Sequence, residues 1–190
     1  RMVLRDSFHT PPICSPTRAA LHTGRDPRRL GIAYNTIMSW HNNGVHPDER
    51  FMPEAFRDAG YQTAMVGKWH LGHAQQTYHP NARGYEHFYG HLHTEVGYFP
   101  PFAVQGGKDF QRNGEPLEGK DYETFMLADE ASRLIRERAE TRPFFLYIPF
   151  ISPHTPPEPP DYPKNKYNTL VKHSPPPHTK HTPKTRPRPA

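Results

Sequence analysis

Cys14-Ser15-Pro16-Thr17-Arg18 places the only cysteine of the chain where a helix is predicted to begin, with a guanidinium one turn on. Free N–H groups and the dipole at a helix start favour an anion. An arginine four residues later can bring its fork to the same place. A thiol in that setting reads either as a small buried hydrophobe or as a nucleophile. A redox thiol fits less well, because no second cysteine could resolve a sulfenate. Gly67-Lys68-Trp69-His70 is the second constellation. It is expected just past the end of a strand, where α/β sheets hold ligands. In extended backbone Lys68 and His70 would face one side, so a cation and an imidazole could address one anion. The third is Ser152-Pro153-His154-Thr155-Pro156-Pro157, after an apolar run. His154 reads there as a site residue, by its place after a strand end, or as a bystander in a proline-rich exit loop. His91, His93 and Tyr98 either line the substrate side or lie on the surface. Nucleophile, two cations and imidazoles together would grip a tetrahedral oxyanion.

The elements needed to position these residues are legible in outline. Ser15 and Pro16 read as cap and first helical residue, residues 17–23 continue the helix, and Gly24 ends it. Residues 53–60 repeat that design, and residues 61–66 form a strand closed by Gly67. Residues 121–140 are the clearest helix, with Leu127, Ala131 and Leu134 on one face. Residues 144–148 form a continuous apolar run, which fits a strand buried on both faces. A further strand is predicted over residues 2–10. Residues 73–120 read as loop with short strands, and Arg112-Asn113-Gly114-Glu115 as a hairpin turn. Helix and strand in alternation with short joins predict an α/β fold with a mainly parallel central sheet.

Composition bounds the function. The net charge of +5 lies in residues 172–190, which hold five Lys or Arg and no acid; the rest carries 19 basic and 19 acidic residues. No global field draws the main body to nucleic acid. That terminal segment also holds six prolines and three histidines without a large apolar residue, so it is predicted to be disordered. The organisation expected is an α/β domain over 1–167 and a basic Pro/His-rich tail over 168–190. No membrane span is expected, since no stretch approaches 18 apolar residues.

Cys14-Ser15-Pro16-Thr17-Arg18, with Ala19-Ala20-Leu21-His22-Thr23-Gly24-Arg25 behind it, resembles the core signature of the formylglycine-dependent (type I) sulfatases. Residues 60–72 resemble the second signature of that family, and Arg83-Gly84-Tyr85 a further stretch, read here as scaffold. The resemblance runs roughly from Phe8 to Tyr167. It implies an alkaline-phosphatase-like sulfatase domain and hydrolysis of aryl or sugar sulfate esters. Cys14 would be oxidised to formylglycine by a formylglycine-generating enzyme that reads Ser15, Pro16 and Arg18. By the same resemblance Arg18 holds the hydrated aldehyde and Lys68 binds sulfate. His70 contacts a hydroxyl of the hydrate, and His154, the candidate general acid, assists the leaving group and meets substrate; apart from the resemblance, His93 is the substrate-binding candidate among residues 91–98. The resemblance further implies a secreted, periplasmic or lysosomal setting.

Such sulfatases also bind Ca2+ through an Asp-Asp pair and an Asp-Asn pair, and neither pair can be matched in this sequence. The chain is therefore expected to be an incomplete sulfatase that holds the nucleophile half of the site. Two other readings stand beside it. A phosphate or phosphonate ester hydrolase of the same superfold would use similar groups. A non-catalytic protein could bind a polyanion through the basic tail.

Overall fold

Gln62-Thr63-Ala64-Met65-Val66-Gly67-Lys68 forms the strand around which the sheet is built. The computed structural model describes residues 13–154 apart from 95, 102, 104, 105 and 120. The strand expected over 2–10, the boundary at 167/168 and the basic tail lie outside these residues. Strand β1 (Gln62–Lys68) pairs in parallel with β2 (His87–His91) on one side. On the other it pairs in parallel with β5 (Phe144–Tyr147). Strands β3 (Phe110–Arg112) and β4 (Glu115–Pro116) extend the sheet antiparallel, giving the order β4-β3-β2-β1-β5. Asn113 and Gly114 make the hairpin turn with φ of 51° and 93°, the geometry this residue pair favours.

Alternation along the strands assigns a core to each face. Met65, Phe88 and Phe145 pack with Ala19, Phe51, Trp69 and Tyr85 on the side of helix α1 (Cys14–Thr23). Val66, Tyr89 and Leu146 pack with Leu127, Met126 and Leu134 of helix α3 (Glu123–Glu137). Buried Glu130 ties α3 down by accepting from His87 Nε2 at 2.8 Å, Arg112 Nη2 at 2.9 Å and Arg133 Nη2 at 2.8 Å. Helix α2 (Met52–Asp58) is capped by Glu54, whose carboxylate accepts the Phe51 N–H at 2.5 Å. The Arg83 guanidinium lies 4.0 Å from the centre of the Phe51 ring and donates to the Pro47 carbonyl at 2.7 Å. This stretch is scaffold, as expected.

Three local expectations need correction. Helix α1 starts two residues earlier than predicted, with Ile13 as cap and Cys14 as its first residue. The Ser15 hydroxyl does not cap the helix; it accepts the Ile37 N–H at 3.1 Å and tethers a distant loop. Strand β1 runs on through Gly67 to Lys68, because Lys68 N–H still finds a partner, the Pro149 carbonyl at 3.0 Å. Strand β5 uses both faces, yet all four of its residues are only half-buried. It pairs with β1 on one side and is the last strand in the described order.

Candidate active site

The C-terminal ends of β1 and β2 lie side by side, with Lys68 directly opposite His91. Both follow a glycine in register, Gly67 opposite Gly90. Beyond Lys68 the chain bends sharply. Trp69 N–H donates to the His91 carbonyl at 2.9 Å, and His70 N–H to the Leu92 carbonyl at 3.1 Å. His70 itself has φ of 61°, a left-handed conformation uncommon outside glycine. The expectation that Lys68 and His70 share a side through extended alternation is therefore overturned. A turn held by β2 brings them together instead.

Helix α1 reaches the same turn. Arg18 Nη1 donates to the Lys68 carbonyl at 2.6 Å, locking the helix that starts at Cys14 onto the turn that carries Lys68 and His70. Burial lowers the Arg18 pKa, opposed by the charges of Tyr147, Cys14 and Tyr85. An arginine keeps its proton regardless. Behind it, His22 Nδ1–H donates to the Arg18 carbonyl at 2.8 Å, and His22 Nε2 accepts from Tyr85 Oη at 3.0 Å. Carbonyl acceptance fixes that tautomer. Burial, then the Arg18 charge, brings His22 down to about 4, with the bond to the Arg18 carbonyl acting the other way.

His70 Nε2–H donates to the Ile37 carbonyl at 2.9 Å. Its Nδ1 is therefore a bare acceptor, buried and without a hydrogen-bond partner. Burial and the Lys68 charge push its pKa down to about 2, with smaller contributions from Arg18 and His93. The imidazole is neutral, and Nδ1 is free to accept a hydrogen bond. Lys68 is buried as well, so its charge acts in low dielectric.

The other two predicted residues are placed differently. His93 is half-buried, and its ring centre lies 4.1 Å from that of His73. Its N–H donates to Asp109 at 2.7 Å. Asp109 also accepts the Leu92 N–H at 3.1 Å, and burial pushes its carboxyl up to about 7. His154 is anchored through its backbone: its N–H reaches the Ile151 carbonyl at 2.9 Å, and its own carbonyl accepts from Tyr98 Oη at 2.8 Å. Nothing in the sequence pointed to Glu123, at the start of α3, and His91 was open between the substrate side and the surface. Both are fully buried. The repeated Gly-Lys and Gly-His steps at the ends of two strands were the available signal.

Comparison with known proteins agrees with this geometry. The sulfatase family model matches residues 2–175. The chain belongs to the sulfatase family. N-acetylgalactosamine-6-sulfatase of Homo sapiens is 34% identical over 164 residues, covering 76% of this chain and 31% of its own. The crystal structure of Ps i-CgsB superposes with a TM-score of 0.70 at 33% identity, covering 82% of this chain and 39% of that one. BT4656, solved with its substrate D-glucosamine-2-N,6-O-disulfate, gives a TM-score of 0.64 at 25% identity, with 90% and 31% covered. This sulfatase chain spans about a third of the length of the curated relatives it matches. Its fold is accordingly the α/β arrangement of those sulfatases.

Sulfatases are expected to hold Ca2+, a hard cation that takes six or more oxygens. Among the described residues no group of three His, Cys, Asp or Glu could hold a metal ion. Asp109 accepts the N–H groups of Leu92 and His93, and Glu123 lies 3.5 Å from His91 with neither oxygen hydrogen-bonded. The described residues do not fit calcium, and no step below is routed through it. Among them, too, no helix is long and apolar enough to cross a membrane.

The buried histidines of the sulfatase core carry a pH signature. His22 has a folded pKa below its ordinary 6.5, so its contribution is fully present above 6.5 and is lost as pH falls towards 4. Measured against His22→Gln, the wild-type advantage should shrink by roughly 3 kcal/mol between pH 6.5 and 4. Urea unfolding of both proteins at the two pH values checks this, and an advantage independent of pH would contradict it.

Proposed function

We propose that the protein hydrolyses sulfate esters of aryl compounds or sugars, with Cys14 matured to formylglycine as the nucleophile. The single observation that carries this reading is the 2.6 Å bond from Arg18 to the Lys68 carbonyl. It joins the helix that begins at Cys14 to the turn that holds Lys68 and His70, segments 50 residues apart. Once hydrated, the aldehyde supplies two geminal hydroxyls, one to displace the alcohol from sulfur and one to release sulfate.

The chain's own residues then have distinct tasks. His70 Nδ1, kept neutral by burial and the Lys68 charge, accepts a hydrogen bond from a hydroxyl of the hydrate and orients it. Lys68 and Arg18 offset charge on the equatorial oxygens in a site shielded from water. His154 donates a proton to the departing alkoxide, and His93, with Lys68, touches substrate. A sulfated sugar is the substrate class we favour, supported by the disulfated glucosamine bound to BT4656. A formylglycine-generating enzyme is the implied partner, and a secretory, periplasmic or lysosomal route the implied setting.

Mass spectrometry of the tryptic peptide spanning residue 14, from the native source, tests the maturation. Conversion of thiol to aldehyde lowers its mass by about 18 Da. Aryl sulfate and aryl phosphate assayed in parallel test the reaction. An unmodified thiol in active protein, or faster turnover of the phosphate, would overturn this reading.

A further inference from the structure

Glu123 is the first residue of α3 and is completely buried, as is His91. Val66 and Tyr89 belong to the α3-facing core. Lys68 and His91 lie two residues further along the same strands, so alternation directs them to the face against which α3 packs. There Glu123 Oε1 lies 3.5 Å from His91 Nε2. That separation is not a hydrogen bond, and neither carboxylate oxygen nor either ring nitrogen has a hydrogen-bond partner. An unsatisfied buried carboxylate would be costly, so this arrangement needs an explanation.

Protonation supplies one. Burial pushes the Glu123 carboxyl up to about 8, against the opposing charge of Lys68. Burial likewise holds His91 well below its ordinary value, reinforced by Lys68, Arg18 and His70. The pair is thus a carboxylic acid beside a neutral imidazole, not an ion pair. The charged or titratable groups around it are Lys68 from β1, Tyr89 from β2, Arg18 from α1 and His70 from the turn after β1. Both cations of the proposed sulfate site are among them.

We infer that Glu123 and His91 form a buried proton-holding pair that sets the charge beside Lys68, making them positioning residues of the anion site. While Glu123 keeps its proton, it adds no negative charge beside Lys68, and an anion meets the full field of Lys68 and Arg18. When the proton leaves, a carboxylate stands behind Lys68 and competes with the anion for it. Anion affinity then falls as pH rises through the pair's titration. The coupling is reciprocal: a bound anion makes the proton harder to lose, so binding in this range takes up a proton.

This inference rests on the sulfate-site reading, and the test separates the two. The full 190-residue chain is titrated with inorganic sulfate by calorimetry from about pH 6.5 to 9, in buffers of different ionisation enthalpy. Wild type, Glu123→Gln and Lys68→Ala are compared. Wild type should bind sulfate about tenfold more weakly at pH 9 than at pH 7 and take up protons near pH 8. Glu123→Gln, which mimics the neutral acid, should keep its pH 7 affinity at pH 9 without proton uptake. Parallel pH curves for wild type and Glu123→Gln, with Lys68→Ala impaired, overturn the pair's role and leave the site standing. No saturable sulfate binding in wild type, or binding indifferent to Lys68→Ala, overturns both. Infrared spectra give a second readout. The carbonyl stretch of a protonated carboxylic acid should be present at pH 7 and lost by pH 10, and the part missing from Glu123→Gln separates Glu123 from Asp109, whose carboxyl is also pushed up; absence of the band in wild type at pH 7, or an unchanged band in Glu123→Gln, overturns the pair.

Discussion

Replacing Arg18 by lysine should lower kcat/KM for an aryl sulfate by about a hundred- to a thousandfold, the range for loss of one preorganised donor to a developing oxyanion. The substitution keeps the charge and removes the fork. Arg18 spends Nη1 on the Lys68 carbonyl and has four further N–H donors in a rigid plane, whereas lysine is a point charge on a flexible stem. A lysine could satisfy the carbonyl or approach residue 14, but not both in fixed geometry. The Lys68 carbonyl would also lose a short charge-assisted bond, at a cost of about 1–3 kcal/mol. Steady-state kinetics with urea unfolding on the same preparations separate the two effects. Activity within threefold of wild type would mean that the bond is structural alone.

Gly67→Ala should cost about 4 kcal/mol, combining an unfavourable backbone conformation with overpacking. Gly67 has φ of 134°, and a Cβ there would meet the Pro149 carbonyl oxygen at 2.3 Å. Its partner across the strands, Gly90, has φ of 147°, and a Cβ on it would meet the Gly67 carbonyl oxygen at 2.1 Å. These neighbours are backbone and cannot rotate away. The two glycines let β1, β2 and the segment after β5 close on each other beneath Lys68 and His91. Gly97→Ala is the control, since a Cβ added there would have nothing within 4 Å; it should shift stability by no more than about 0.5 kcal/mol. Equal unfolding midpoints for the two variants would show that the close approach is not required.

On the proposed function, turnover and fold stability depend on neighbouring features of one turn. Gly67 shapes the path of the chain into Lys68, the Lys68 carbonyl receives Arg18, and the Lys68 side chain faces Glu123 and His91 across the strand ends. Substitutions in residues 67–70 should therefore disturb folding and anion binding together, while Glu123→Gln should move the pH dependence of binding alone.

What the residues alone determined is local in physical origin. The cysteine-to-arginine spacing, the helix ended by Gly24, the Asn113-Gly114 turn and the apolar face of α3 follow from backbone preferences and side-chain periods, which need no distant partner. The reading of Cys14, Arg18, Lys68 and His70 as one group came from signatures only a few residues long, and the bond from Arg18 to the Lys68 carbonyl supports it. Tertiary structure decided the rest. Whether Ser15 caps its helix or holds Ile37, and whether β1 ends at Val66 or Lys68, depends on acceptors and donors from remote segments. His70 takes its left-handed turn where the carbonyls of His91 and Leu92, remote in sequence, accept the N–H groups of Trp69 and His70. Glu123 and His91 meet Lys68 only through strand register and helix docking, and pairing across long separations leaves no periodic trace in the chain.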